Sequence, residues 1–271
     1  MTAEDTTEPS RTVVGGSDAR RLPAGHRFVS LADRPELRGP MGDHNLAVWP
    51  AFMLEDPVAD RNWDRLFEDW PAFQGCLLGP DDAVVAAFNS TPLWWDGTEA
   101  GLPIGWDDQF ERAVADLTAG RGPNTLGAIQ IVVAPSHQGR GLAGATFDEM
   151  RATGRRHGLT SLIACVRPTD KARYPLMPIE DYARWRRLDG LPADPWIRIH
   201  VRAGGRIVRP SPSSMTISGT LDQWRSWTGL DFPVSGLYVV EGGASTVAID
   251  VAADSGTYHD PNVWIVHDLT T

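Results

Sequence analysis

The chain has 271 residues, of which 42% are hydrophobic, and a formal net charge of −10. This length is enough for one large α/β domain, or two small ones, with a sizeable buried core. Nucleic acids and anionic membranes require clustered Lys and Arg, so an acidic chain predicts neither as a partner. No apolar run reaches the roughly 18 residues of a membrane span, and the first residues lack a basic-then-apolar leader, which predicts a cytoplasmic protein.

The sequence shows no pattern of metal ligands. Its seven histidines have no HxxxH or HExxH spacing, and the chain contains no CxxC pair. The two cysteines, Cys76 and Cys165, each lie within an apolar, strand-like run. We therefore predict no metal site and two buried free thiols.

The beginning of the chain differs in character from the rest. Residues 1–24 are polar and carry no apolar period, so we predict a disordered tail followed by a single domain over 25–271. A short strand is predicted at Arg27–Ser30. After Asp60, apolar side chains at i, i+3, i+4 and i+7 predict a helix with one core-facing stripe. These side chains are Trp63, Leu66, Phe67 and Trp70.

A hairpin and an amphipathic helix are predicted next. The apolar runs 73–78 and 83–88 flank a Gly-Pro-Asp-Asp turn, which is typical of two antiparallel strands. The helix has acidic residues near its positive end and is ended by Gly120. Its apolar face consists of Trp106, Phe110, Ala113, Val114 and Leu117.

The middle of the chain predicts a right-handed crossover. The β-branched run 128–133 indicates a central strand covered on both faces, and a second buried strand is predicted at 161–166. Between them a helix is predicted from Arg140 to Gly158. Its apolar and small residues, Ala143, Phe147, Met150 and Gly154, are spaced by four, three and four positions.

The turn that leads into this helix suits a diphosphate. The first turn of a helix leaves several backbone N–H groups without partners, and its dipole adds about half a positive charge there. Gly139 and Gly141 remove side chains that would keep a phosphate away from those amides. The whole turn reads Gln138-Gly139-Arg140-Gly141-Leu142-Ala143.

In this setting the turn resembles the acyl-CoA-binding motif of the GNAT superfamily, which runs Arg or Gln, any, any, Gly, any, Gly or Ala. The resemblance implies an α/β fold with a mixed, twisted central sheet and helices on both faces. It covers a motif core at 126–208 and leaves 209–271 as a C-terminal β extension. It also implies acetyl-CoA or another acyl-CoA as co-substrate. An ordinary ligand-free turn stays an open alternative, whereas a P-loop is disfavoured because no Gly-Lys-Ser/Thr follows.

The resemblance also implies where the donor lies. The strand at 128–133 is expected to diverge from the strand at 161–166, with the pantetheine arm in the V-shaped gap. Ile131, Val132 and Val133 are then expected to line that arm, and a free strand amide such as that of Val133 to polarise the thioester carbonyl. Arg140 is expected to add an ion pair, and Thr169 completes the predicted cofactor-binding residues.

The proton donor is where the resemblance becomes weaker. The family places a Tyr four positions before a Gly in the helix after the second strand, whereas this chain inserts residues 168–192. The later segment 194–205 is similar to that helix, although alternating Ile and Val with charged residues also allows a strand. On the helical interpretation His200 occupies the Tyr position, and its imidazolium is a candidate donor to the thiolate. A structural His200 is the alternative, and Tyr174 and Tyr182 are further candidate acids.

A general base is not apparent either. Some family members carry a Glu on the first diverging strand, where this chain has Gln130, which cannot accept a proton. The base must therefore lie elsewhere or act through water, unless the acceptor amine needs little help. The acceptor type stays open on this evidence.

The insert, the tryptophans and the C-terminal strands give three further expectations. The insert 168–192 is expected either to cover the site and contact the ribose 3′-phosphate or to expose a solvated charged face. Its basic residues are Lys171, Arg173, Arg184, Arg186 and Arg187. Eleven tryptophans, including the pairs Trp94/Trp95 and Trp224/Trp227, are expected mostly in the core, with some lining an acceptor pocket. The C-terminal portion predicts strands at 206–208, 213–218, 236–240, 246–251 and 263–266.

Taken together, the sequence predicts an N-acyltransferase in which a small-molecule amine attacks acyl-CoA directly. Two alternatives stay open: a GNAT-like decarboxylase or other acyl-CoA-processing enzyme, and a non-catalytic acyl-CoA sensor. A homodimer is an open alternative, and the sequence is silent on the oligomeric state.

Overall fold

A computed structural model describes residues 22–270 of the chain. Nine strands form one mixed sheet in the order β1-β2-β3-β4-β5-β9-β8-β7, and β6 pairs with β9 off this path. The only parallel pair among them is β4 with β5. The strands are β1 (Arg27–Ser30), β2 (Gln74–Leu78), β3 (Val84–Leu93), β4 (Thr125–Val133), β5 (Ser161–Val166), β6 (Arg206–Gly219), β7 (Gly236–Val239), β8 (Thr246–Asp250) and β9 (Ser255–Asp268).

Eight α-helices accompany the sheet within the described residues. None of them is long and apolar enough to cross a bilayer. They are α1 (Arg38–Val48), α2 (Pro57–Asn62), α3 (Arg65–Glu68), α4 (Trp106–Thr118), α5 (Leu142–Arg156), α6 (Ile179–Tyr182), α7 (Pro195–Arg202) and α8 (Leu221–Thr228).

Both faces of the central sheet are covered, as the apolar runs predicted. On β5, Leu162 and Ala164 pack in a cluster with Phe147 of α5, whereas Ile163 and Cys165 pack on the opposite face. The opposite cluster contains side chains of α4 and α8. Because both faces are buried, β5 needs no polar alternation. Both cysteines of the chain are buried free thiols, as predicted.

Most predicted elements are confirmed. The strand at Arg27–Ser30, the hairpin of β2 and β3, helix α4 and the crossover β4-α5-β5 all form. Gly120 has a φ of 65° just after α4, which fits its predicted role in ending that helix. Of the tail predicted over 1–24, residues 1–21 lie outside the described residues.

The helix predicted after Asp60 is divided into α2 and α3. Its hydrogen bonds change from the i→i+4 type at Trp63 to the i→i+3 type at Leu66 and Phe67, which interrupts the α-helix. The predicted core stripe nevertheless holds. Leu66 and Trp70 are buried, while Trp63 and Phe67 pack against the same cluster.

Residues 195–202 form a helix, so the strand alternative is wrong. The Asp194 carboxylate accepts hydrogen bonds from the backbone N–H groups of Trp196 and Ile197 at 2.9 and 3.0 Å. Pro195 occupies the first turn, and Gly204 adopts a φ of +85° beyond the end. This local capping outweighs the alternating pattern of apolar and charged residues.

The C-terminal strands are longer than predicted. The separate strands predicted at 206–208 and 213–218 are one continuous strand, β6, and the strand predicted at 263–266 is part of the 14-residue β9. Strands β6 and β9 pair with each other along most of their length, and this pairing extends both. Helix α8 was not predicted, although Thr220 and Gln223 form a capping box that the sequence pattern Thr-x-x-Gln indicates.

Two carboxyl groups meet where α2 and α4 begin. Asp56 accepts from the backbone N–H groups of Val58 and Ala59, and Asp107 accepts from the N–H of Thr216. The second oxygen of each group is buried and has no hydrogen-bond partner among residues 22–270. Burial raises the pKa of both carboxyls, and burial together with the charge of Asp56 raises that of Asp107 to about 8. One proton shared between the two unmatched oxygens satisfies both.

This pair predicts a pH-dependent stability. A carboxyl whose pKa is raised on folding stabilises the fold at low pH, and this contribution is lost as the pH rises from about 4 to about 8. The slope contributed by one such group is at most about 1.4 kcal/mol per pH unit. In Asp107→Asn the amide group donates a hydrogen bond to Asp56 and does not titrate. The free energy of unfolding of this variant should therefore fall less between pH 5 and pH 8 than that of the wild type.

Urea unfolding at several pH values measures this slope. Asp222→Asn, which changes an exposed carboxylate of α8, is the control and should behave as the wild type does. An Asp107→Asn variant with the wild-type slope would show that the pair holds no shared proton.

Candidate active site

A cavity of about 1370 Å³ opens beside the parallel strands. Its walls come from α1 and α2 on one side, from β4 and the end of β5 in the middle, and from the start of α5 and from α7 on the other. Its volume exceeds the roughly 300–1,000 Å³ of a typical small-molecule site. Within residues 22–270, no three His, Cys, Asp or Glu side chains are grouped as metal ligands would be.

The cavity exists because β4 and β5 separate. Their parallel pairing runs from Thr125↔Ser161 to Ala128↔Ala164 and stops there. At the same point the register of β4 with β3 skips Ile129, so that this residue forms a bulge. Its carbonyl is turned to Trp106, whose indole Nε1 donates to it at 2.8 Å. A bulge bends a strand and increases its twist, which carries the rest of β4 away from β5.

The edge of β4 beyond the bulge faces the gap. The N–H of Ala134 donates to Val85 of β3, so the alternation of the strand directs the backbone groups of Val133 and Ile131 away from β3. The carbonyl of Val133 accepts a bond from the Gln138 side chain at 3.2 Å. The predicted strand positions thus offer backbone donors and acceptors to a ligand in the gap.

The glycine turn presents unpaired amides to the same cavity. Gly139 and Gly141 have φ angles of +74° and +78°, which side-chain-bearing residues rarely adopt, and a Cβ on either would point into open space. The first bond of α5 runs from the N–H of Ala145 to the carbonyl of Gly141, and no side chain caps the helix. The preceding amides are therefore available to an anion.

Nine of the ten predicted cofactor-binding residues line this cavity. They are Ile131, Val132, Val133, Gln138, Gly139, Gly141, Leu142, Ala143 and Thr169. Arg140 does not; its side chain lines a smaller cavity together with His26 and His44. The placement of Arg140 therefore gives no support to the predicted ion pair.

His200 lines the cavity but differs from the predicted proton donor in its charge. Its side chain is buried against Phe147, and its Nδ1 lies 3.0 Å from Nε2 of His267. Burial, and then the positive character of His267 and Arg151, hold the pKa of His200 well below its usual value. The ring is neutral near pH 7, so the expectation of an imidazolium is corrected: any proton that His200 donates comes from a neutral N–H.

The alternative acids are not brought to the site. Tyr182 is buried and its hydroxyl donates to Asp194 at 3.0 Å, and burial together with this carboxylate raises the pKa of the phenol. Tyr174 is 41% exposed and packs against Tyr182 and Trp185. Neither tyrosine lines the cavity.

Gln130 of β4 lines the cavity, and hydrogen bonds fix its side-chain amide. Its Oε1 accepts from the indole of Trp49 at 3.2 Å, and its Nε2 donates to Asn45 and Asn89 at 2.8 and 2.9 Å. The amide therefore has a fixed orientation and supplies no base.

Several lining residues were missed by sequence reasoning. Arg167 follows β5 directly, and its guanidinium lies 5.7 Å from the ring centre of Trp49, across the gap from Gln130. Trp49 and Asn262 also line the cavity. A charged residue at the end of a buried strand is a signal that could have found Arg167, because parallel strands place sites at their carboxyl ends.

Other predicted residues lie away from the cavity. The tryptophan pairs 94/95 and 224/227 do not line it, whereas Trp49, Trp63, Trp106 and Trp196 do. In the insert, Lys171 is buried, and Arg184 and Arg187 pair with Asp181 and Asp189. Of the insert, only Thr169 reaches the cavity.

Comparisons with known proteins agree with this geometry. Residues 45–177 match the model of the Acetyltransferase (GNAT) family. The chain is 32% identical over 284 aligned positions to the arginine N-acetyltransferase avaD of Aspergillus versicolor, covering 92% of this chain and 96% of that protein.

Two solved structures share the fold. The loading GNATL domain of CurA from Lyngbya majuscula superposes with a TM-score of 0.55 at 14% identity, covering 90% of this chain and 98% of that one. The GNAT-like decarboxylase GphF, solved with isobutyryl-CoA, has a TM-score of 0.52 at 18% identity with the same two coverages. With the separated strands and the glycine turn, these matches place the chain in the GNAT family, as an N-acyltransferase that passes an acyl group from acyl-CoA to an amine.

Proposed function

We propose that this enzyme transfers an acetyl group from acetyl-CoA to a nitrogen of arginine, or of a small molecule that carries the arginine side chain. The observation that carries the proposal is the 32% identity with an arginine N-acetyltransferase, which extends over 96% of that protein. The match covers 92% of this chain, far more than the glycine turn alone. A shared donor site alone would say nothing about the acceptor.

The lining of the cavity supports a cationic acceptor. Asp43 and Asp60 line it from α1 and α2, and neither makes an ion pair with any residue of 22–270. Trp49, Trp63 and Trp106 line the same space. Carboxylates attract a guanidinium or ammonium group, and indole faces bind it through cation–π contacts.

On this proposal the chain acts mainly by positioning. The amides of Gly139 to Gly144 hold the diphosphate, and the edge of β4 holds the pantetheine arm. The bound donor supplies a thioester carbon, which the acceptor nitrogen attacks; a C–N bond forms and the C–S bond breaks. The amide of Val133, or of a neighbour on β4, polarises the carbonyl. The attacking nitrogen loses one proton and the departing sulfur gains one. The neutral ring of His200 gives its N–H proton to the sulfur and recovers a proton, through water, from the nitrogen.

Product analysis tests the reaction. The enzyme is incubated with acetyl-CoA and arginine, agmatine, lysine, spermidine or aniline in turn, and products are identified by mass spectrometry alongside thiol release. N-acetylarginine as the main product is expected. A decarboxylated thioester from malonyl-CoA without any amide would favour the decarboxylase alternative, and binding without turnover would favour the sensor.

The glycine turn gives a prediction with a matched control. In Gly141→Trp a bulky side chain enters the space where the phosphates are proposed to lie, so CoA affinity should fall by at least about 100-fold, the equivalent of about two lost charge-assisted hydrogen bonds. Calorimetric titration with CoA measures this loss.

Gly158→Trp is the control, because Gly158 lies beyond the other end of α5 with a φ of +74° and open space around it. Both variants carry the same left-handed backbone strain and should lose similar stability. Equal CoA affinity in the two variants would contradict the proposed phosphate site.

His200 gives a separate prediction. His200→Gln should lower kcat by about 100-fold with CoA affinity unchanged, the usual contribution of a positioned acid. Since the pKa of His200 is held well below its usual value, no ionisation of this ring should shape the rate between about pH 5.5 and 7.5. The exposed His259→Gln serves as control. A wild-type limb near pH 6.5 that disappears in His200→Gln would show that the ring acts as an imidazolium.

A further inference from the structure

The end of β5 places a cation at the cavity. Arg167 follows β5, lines the cavity, and lies over Trp49, whose indole N–H donates to Gln130 of β4. Asp43 and Asp60 line the same cavity, so a ligand in it can meet both a cation and two carboxylates.

Hydrogen bonds hold the guanidinium of Arg167 in one orientation and leave some of its N–H donors unused. Its Nε donates to both oxygens of Asp260 at 2.9 and 3.1 Å, and its Nη2 donates to the carbonyl of Gly242 at 2.7 Å. Tyr258 donates to the same carboxylate at 2.6 Å. Within residues 22–270 the Nη1 of Arg167 makes no hydrogen bond, and the side chain stays 17% exposed. Such a preorganised guanidinium suits a carboxylate.

A second basic group is buried near Arg167. Lys171 is 1% exposed, and its Nζ donates to the carbonyls of Tyr174 and Ala244 at 2.8 and 2.6 Å rather than to a carboxylate. Asp260 is the acid that acts on both Arg167 and Lys171. Burial lowers the pKa of Lys171, so this amine can release its proton, whereas the guanidinium of Arg167 keeps its charge. Arg167 is therefore the lasting cation of the two, and it is the one that lines the cavity.

We infer that Arg167 binds a carboxylate of the acceptor, so that the enzyme selects an amino acid over the same amine without a carboxylate. This inference rests on the proposed function, since it names the acceptor class for the same site. The acceptor's anionic end meets Arg167, and its cationic end meets the carboxylates of Asp43 and Asp60 elsewhere in the cavity. An acceptor with both charges satisfies both parts of the lining.

Three acceptors isolate the carboxylate: arginine, arginine amide and agmatine. Arginine amide keeps the size and removes the negative charge, whereas agmatine lacks the group altogether. The wild type should prefer arginine by about 10- to 100-fold in kcat/KM, the range of a charge-assisted hydrogen bond. In Arg167→Met this preference should disappear, mostly through a higher KM for arginine. Arg206→Met, at an exposed position outside the cavity, should keep it.

The outcomes separate the two proposals. If the wild type uses arginine and arginine amide equally well, or if Arg167→Met keeps the preference, the role of Arg167 is refuted while the proposed function stands. If no acceptor is acetylated, the proposed function is wrong, and calorimetric binding of arginine against agmatine to the CoA complex then decides the carboxylate question. Equal binding there would also refute it.

Folding is checked independently, because Arg167→Met leaves Asp260 buried without its partner. Thermal melting and CoA affinity are measured for every variant. If Arg167→Met does not fold, Arg167→Met with Asp260→Asn restores the charge balance and is used in its place. Arg167→Lys keeps the positive charge but loses the planar guanidinium, so it should prefer arginine to an intermediate degree. If Arg167→Lys and the double variant both prefer arginine as strongly as the wild type does, the inference is overturned.

Discussion

The site depends on one event in the sheet: β4 stops pairing with β5 after Ala128. A strand buried on both faces and paired on both edges has no backbone group left for a ligand. The bulge at Ile129 turns the remainder of β4 aside, and Trp106 of α4 holds the turned carbonyl. Everything that the donor is expected to contact, from the free edge of β4 to the glycine turn, follows from that separation.

A second break in pairing occurs in β9, close to Arg167. Strand β9 pairs with β8 up to Tyr258 and with β5 from Val263 onwards. In between, Asp260 and Asn262 pair only with β6 on the other edge. That interval lets the carboxylate of Asp260 meet Arg167. The C-terminal strands therefore form part of the site as well as extending the sheet.

The buried charges share one physical logic. Asp56 and Asp107 are both acidic, and burial raises their pKa values until a single proton serves the two. Arg167 cannot relieve its charge in that way, because a guanidinium does not lose its proton, whereas burial lowers the pKa of Lys171. The first arrangement is complete in itself, while Arg167 stays charged at the cavity and is proposed to meet an anion of the acceptor. This contrast distinguishes a structural pair of like charges from a charge that belongs to a site.

The glycine turn could be predicted from sequence because its determinants are local. Gly139 and Gly141 need positive φ angles, and α5 starts where its apolar stripe starts. The helical nature of 195–202 was likewise encoded by Asp194, Pro195 and Gly204. By contrast, the break between α2 and α3 was not predictable from the spacing of Trp63 to Trp70, because the change in hydrogen bonding leaves the same side chains facing the core.

The sequence by itself determined the family, the donor turn and most elements, since each of these is carried by neighbouring residues and their periodicity. Only the tertiary structure decided the charge of His200, which follows from burial against Phe147 and His267, and the orientation of Arg167, which follows from Asp260 on a distant strand. It also shows that Tyr174, Tyr182 and Arg140 do not line the main cavity. Solvation and long-range pairing set these properties, and neither is encoded in the spacing of residues along the chain.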